Sequence, residues 1–200
     1  MSERPELKQI EPLVSQKTEE VLKLETRIAQ LERENAELKD KAFKDSLTGL
    51  YNRAFAEEEL DRQFLSQKPR QDLLIALIDV NGFKIINDLW SHEAGDDFLK
   101  RIANSLKDVT KRKSTDIASR WGGDEFLLIF PDCSEDQKET IKERIKNAGK
   151  QNQIDLSVGI ATLKAGEDNK YKNVNEFVKA AEDEMKKDKP TEDSRQKLSQ

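Results

Sequence analysis

The apolar residues between Leu7 and Ala42 recur every seven positions. Leu7, Val14, Val21, Ile28, Asn35 and Ala42 share heptad position a, and Ile10, Leu24, Leu31 and Leu38 share position d, where Lys17 is the misfit. A 3.5-residue period with β-branched residues at a and Leu at d predicts a parallel two-stranded coiled coil. Asn35 agrees, because a buried Asn pair at a fixes register at a cost in stability. Flanking charges agree in part: Arg27 to Glu32 and Glu34 to Lys39 attract, whereas Glu20 to Glu25 repel. A single amphipathic helix lying on its own domain is the other arrangement the pattern permits. Pro5 and Pro12 place the start of the regular helix after Pro12.

Near Lys44 the heptads stop, which divides the chain into a dimerisation helix (1–43) and a globular domain (44–189). The tail 190–200 is charged and, apart from Leu198, lacks apolar residues, so it is expected to be disordered. Within the domain, Gly49 and Asn52 mark a turn, and a helix is expected from Ala54 to about Gln67, before Pro69. Leu73 to Val80 is a short, near-continuous apolar run, the pattern of a strand buried on both faces. Phe83 to Leu89 and Asp96 to Val109 have helical spacing, with a loop containing Ser91 and Gly95 between them. Asp116 to Trp121 and Glu125 to Phe130 resemble strands, and Gly122-Gly123 between them signals a hairpin. A polar helix (Ser134 to Asn147), a strand (Ile154 to Thr162) and a last helix (Val174 to Lys187) complete the order. The fold class this predicts is α/β (α+β), a mixed sheet flanked by helices and preceded by a long coiled-coil helix.

Composition narrows the function. Charged residues reach 38% against 35% hydrophobic, which a solvated helix accounts for, and the net charge of -5 lacks any basic block. Nucleic-acid binding through counterion release is therefore not expected. No apolar run approaches the roughly 20 residues of a membrane span, so no membrane insertion is expected. The N-terminus lacks the apolar stretch of a signal peptide, which makes the cytoplasm the expected compartment. One Cys133 and one His92 cannot build a zinc site, so any metal must be a hard ion held by carboxylates.

Such carboxylates stand at strand ends. Asp79 closes the most apolar strand, and Asp124 and Glu125 follow Gly122-Gly123, where glycines let a ligand approach the backbone. If the two strands are neighbours, the three converge. Clustered carboxylates without His or Cys suit Mg²⁺ beside the phosphates of a nucleoside triphosphate.

Four motifs in order carry a more specific message. Trp121-Gly122-Gly123-Asp124-Glu125-Phe126 resembles the motif for which the GGDEF family of diguanylate cyclases is named. Asp45 to Arg53 is similar to that family's D-x-L-T-G-L-x-N-R segment, Asp79 to Asp88 to its strand-to-helix segment, and His92 to Asp96 to its H-x-x-G-D loop. The resemblance covers roughly Asp45 to Lys189 and implies a polymerase-palm-like sheet with flanking helices. It implies that two GTP molecules are condensed into cyclic di-GMP. Asp79, the Val80 carbonyl and Asp124 would bind Mg²⁺ or Mn²⁺, with Asp124 as base and Glu125 completing the acidic cluster. Asn87 and Asp96 would read guanine, since a carboxylate accepts from donors that adenine lacks. His92 and Phe83 would lie beside the substrate, and Lys84 and Lys189 would meet phosphate charge. Each domain offers one GTP half-site, so a homodimer is expected. No sensory domain precedes the helix, which fits the output half of a larger receptor or partner assembly.

Departures from the family pattern matter too. The inhibitory R-x-x-D site is represented by Lys113-Ser114-Thr115-Asp116, and Lys lacks the bidentate geometry of Arg. The Gly-Arg usual after the terminal Lys is replaced by Pro190-Thr191-Glu192-Asp193. That loss favours a rival reading, an inactive domain that senses GTP or cyclic di-GMP. Intact Asp79, Asp124 and Glu125 oppose it.

Overall fold

The structure, a computed structural model, describes residues 7–64, 71–167 and 170–190, with side chains except at 7–15 and 64. The side chains of Leu7, Ile10 and Val14, the helical stretch expected beyond Phe64 and the tail past Pro190 lie outside this set. The chain divides after Ala42 into two compact units.

The first unit is helical. Helix α1 spans Leu7–Phe43, so it begins before Pro12 rather than after it. Pro12 is the sixth residue of the helix and forfeits one bond, to the Lys8 carbonyl. A single loss next to an end whose N–H groups are already unpaired does not stop the helix. The seam residues Val21, Leu24, Ile28, Leu31 and Leu38 are 47–66% exposed. Among the described residues nothing covers this apolar stripe.

The second unit contains α2 (Arg53–Phe64), β1 (Leu73–Val80), α3 (Phe83–Trp90), α4 (His92–Val109), β2 (Ile117–Arg120), β3 (Glu125–Pro131), α5 (Lys138–Gln151), β4 (Leu156–Leu163) and α6 (Val174–Asp188). The sheet order is β2-β3-β1-β4, and every neighbouring pair is antiparallel. The expected mixture of strand directions is thus confined to a lone parallel bridge, Tyr51 to Ser119, among the described residues. The connections explain why. Helices link β1 to β2 and β3 to β4, which makes each linked pair parallel, yet an antiparallel strand sits between its members.

Alternation along β1 divides the core into two layers. Leu74, Ala76, Ile78 and Val80 pack with Phe98, Leu99 and Ile102 of α4 and Ile141 and Ile145 of α5. Leu73, Ile75 and Leu77 face Ala56 and Leu60 of α2 and Phe177, Ala181 and Met185 of α6. Both faces are covered, as the unbroken apolar run requires. On β4, a Cβ at Gly159 would lie 1.9 Å from the Ala181 carbonyl oxygen. Only glycine lets the α6 backbone rest directly on the sheet.

Candidate active site

The same alternation gives Asp79 its direction. It belongs to the odd-numbered set of β1, so it lies on the α6 face, in register with Glu125 of β3 and Ser157 of β4. Its Oδ2 accepts from Lys189 Nζ at 2.8 Å, just past the end of α6. Val80, the last strand residue, donates its N–H to the Asp124 carbonyl at 3.2 Å and so ties the strand end to the hairpin turn. Asn81 fixes the other side: its Oδ1 accepts from Ser157 Oγ and its Nδ2 donates to Asp155 Oδ2, each at 2.8 Å.

Three carboxylates therefore gather at one end of the sheet, and the titration of two of them, Asp124 and Glu125, reflects it. Burial, then the charge of Asp79, pushes the Asp124 carboxyl above its ordinary value. Burial also raises Glu125, helped by the charges of Asp79 and Asp124. Lys189 is a common counter-charge to both. Partly buried acids with too little positive charge fit a divalent cation. Among the described residues, no group of three or more His, Cys, Asp or Glu side chains is placed to hold a metal unaided. The donor set is thus incomplete in the way Mg²⁺ tolerates, because it keeps water and phosphate oxygens in its shell.

Next to Asp124 lies an open cavity of about 240 Å³ that also brings together Phe83, Lys84, Asn87, His92 and Asp96. These come from the first turns of α3 and α4. The H-x-x-G-D stretch is not a loop: α4 begins at His92, behind Ser91, whose hydroxyl accepts from Ala94 N–H. Gly95, a poor helix former, masked this turn in the sequence. It is glycine for a steric reason, since a Cβ there would stand 1.9 Å from Asn87 Oδ1. That oxygen is buried and has no hydrogen-bond partner among the described residues. A buried orphan acceptor is costly, which points to a donor supplied by a ligand.

The hairpin departs from expectation in one respect. Neither Gly122 nor Gly123 has positive φ. A Cβ at Gly123 would meet nothing within 4 Å, so this residue leaves open space rather than supplying a left-handed turn.

Sequence reasoning missed Arg120. Its Nε and a terminal nitrogen donate to the Gly123 carbonyl at 3.1 and 2.7 Å, and its other terminal nitrogen reaches both Asp45 oxygens at 3.3 Å. Asp45 also accepts from Thr48 N–H and Oγ1 at 2.8 and 2.6 Å. The Asp-x-Leu-Thr segment thus braces the hairpin turn through one guanidinium. The available signal was an Arg immediately before Trp-Gly-Gly. Arg120→Ala should cost about 1–3 kcal/mol of stability, the range for charge-assisted bonds, and lower turnover by loosening the turn. Burial opposes ionisation of Asp45, but Thr48 and Arg120 outweigh it and hold its carboxyl below the ordinary value. A depressed carboxyl stabilises the fold above its unfolded pKa, about 3.9, and loses that contribution as pH falls through the folded value. The penalty of Arg120→Ala, read by denaturant melts, should therefore be full at pH 7 and shrink below pH 4. An equal penalty at both would contradict this assignment.

The charged groups of the degenerate inhibitory pair, Lys113 and Asp116, are engaged with other residues. Asp116, with no side-chain exposure, accepts from Arg112 at 3.0 Å and from the Lys113 backbone N–H at 3.2 Å. The Lys113 ammonium is instead paired with Asp132.

A family model described as "Diguanylate cyclase, GGDEF domain" matches residues 42–195. The chain is 35% identical over 140 residues to diguanylate cyclase DgcP of Pseudomonas aeruginosa, covering 64% of this chain and 20% of that protein. It is similar to a solved structure of SiaD from the same species with its activator SiaC (TM-score 0.71, 28% identity, 92% of this chain and 72% of that one). A structure of the coiled coil and GGDEF domain of DgcB from Caulobacter crescentus, in complex with c-di-GMP, matches at TM-score 0.65 and 26% identity, covering 88% and 92%. The chain spans less than half the length of the first curated relatives it matches.

Proposed function

The chain belongs to the GGDEF family of diguanylate cyclase domains, and on that premise we propose that it condenses two GTP molecules into cyclic di-GMP and pyrophosphate as a cytoplasmic homodimer. What supports the reading most is one cavity that joins the Asn87–Asp96 pair to Asp124, beside the acidic end of the sheet. Guanine offers N1–H and N2–H donors to the orphaned Asn87 Oδ1 and the exposed Asp96 carboxylate, and adenine does not. Lys84 and Lys189 bring positive charge to the triphosphate. Asp124, its carboxyl raised by burial and by Asp79, is suited to take the proton from an attacking 3′-hydroxyl. The new bond joins that oxygen to the α-phosphorus of the other GTP, and the bond to pyrophosphate breaks. Asp79, the Val80 carbonyl and Asp124 would hold Mg²⁺ or Mn²⁺, which neutralises triphosphate charge when bound.

Guanine selection tests the reading. The chain should bind GTP about a hundredfold or more tightly than ATP, because ATP would leave the buried Asn87 Oδ1 and the Asp96 carboxylate without donors. Gly95→Ala displaces Asn87, and it should weaken GTP binding about tenfold while leaving ATP binding and the melting temperature nearly unchanged. Asn87→Ala should do the same without adding bulk. Equal affinity of the unaltered chain for both nucleotides would defeat the assignment.

A further inference from the structure

Asp188 ends α6, where the helix dipole disfavours a negative charge. It is nevertheless held by three contacts from two other elements. Its Oδ2 accepts from the Val158 backbone N–H of β4 at 2.8 Å and from Lys146 Nζ at 2.7 Å, and its Oδ1 meets Lys142 Nζ at 3.1 Å. Lys142 and Lys146 stand one turn apart on α5. One carboxylate thus locks the end of α6 to the central sheet and to a second helix. All three side chains are at most 25% exposed, so solvent screens these pairs only in part.

Lys189 follows at once. It leaves the helix in extended geometry (φ −66, ψ 137), the region that a following proline imposes, and Pro190 is that proline. Its ammonium lies 2.8 Å from Asp79 Oδ2, some 110 positions earlier in sequence. A lysine on a mobile chain end would lose much side-chain freedom to stay there. With the residue before it clamped and the residue after it rigid, much of that ordering precedes ligand binding.

We propose that Asp188 is a positioning residue for GTP binding: with Pro190 it brackets Lys189 and presents its ammonium to the triphosphate beside Asp79. The inference rests on the preceding reading that the triphosphate lies there. Asp188 touches no substrate and acts only through Lys189. Lys142 and Lys146 take part as its counter-charges, which gives these α5 residues a role at a site they do not line.

A double-mutant cycle separates the possibilities. Binding of a GTP analogue with a methylene bridge between the α and β phosphorus atoms is measured by calorimetry with Mg²⁺, alongside guanosine, which lacks phosphate. Lys189→Met should weaken the analogue about tenfold. Asp188→Asn, which still accepts from Val158 but no longer pairs with the lysines, should weaken it about fivefold. The double variant should be no weaker than Lys189→Met alone, because both changes remove one interaction. Guanosine affinity should not move in any of them. If Lys189→Met leaves the analogue unaffected, the placement of the triphosphate fails. If Lys189→Met weakens it and the loss from Asp188→Asn adds in full, the positioning role fails while that placement survives. A parallel loss of guanosine binding in Asp188→Asn would mark a general structural effect and also overturn the proposal.

Discussion

Asp124→Asn should abolish cyclic di-GMP formation, lowering turnover by about a thousandfold or more, without lowering the melting temperature. Both halves follow from the same geometry. Asp124 sits where β1 and the hairpin turn meet, its backbone carbonyl taken by Val80 N–H and its side chain lining the nucleotide cavity. Asparagine keeps the shape but can neither accept a proton nor bring negative charge to a cation. Because burial and the Asp79 charge push the Asp124 carboxyl up, its ionised form opposes folding. Removing that charge should leave the ion-free fold as stable or slightly more stable, the usual relation between a charged catalytic cluster and its scaffold. Thermal melts with product assays at pH 7 check this. Retained turnover, or a marked drop in melting temperature, would contradict it.

Replacing Leu24 and Leu31 together by lysine should make specific activity fall steeply on dilution. These residues stand at 58% and 47% exposure on a stripe that nothing among the described residues covers. On the proposed function two half-sites must face each other for bond formation, and a tether would raise their effective concentration to roughly millimolar. At micromolar protein the untethered domains should therefore work some hundredfold or more slowly. GTP binding per chain should persist, because the globular unit keeps its own core. Activity of the double variant that stays constant across a dilution series would remove the coiled-coil dimer from the account.

Much of this was legible because the signals were strong and local. The unbroken apolar run of β1 fixed a doubly covered strand, and its bounds in the structure are those expected, Leu73–Val80. The convergence of Asp79 with Glu125 followed once the two strands proved to be neighbours. Other features depended on contacts that a linear pattern does not carry. Gly95 concealed a helical turn because low helix propensity is all a sequence displays, while its purpose, room for Asn87, is tertiary. Arg120 reaches Asp45 across 75 positions to tie it to Gly123, and no periodicity announces such a link. Asp188 lies just past the expected helix end at Lys187, and nothing in the linear pattern links it to its partners on β4 and α5. Pro12 was given too much weight, because the cost of proline depends on how many helical bonds it interrupts.

The most direct measurement is the simplest. The purified chain is incubated with GTP and Mg²⁺, and the nucleotides are separated by liquid chromatography while released pyrophosphate is counted. The account predicts cyclic di-GMP accompanied by two pyrophosphates per molecule, and none from ATP. GTP that is bound by the protein yet recovered intact after long incubation would contradict it, leaving the domain a nucleotide receptor.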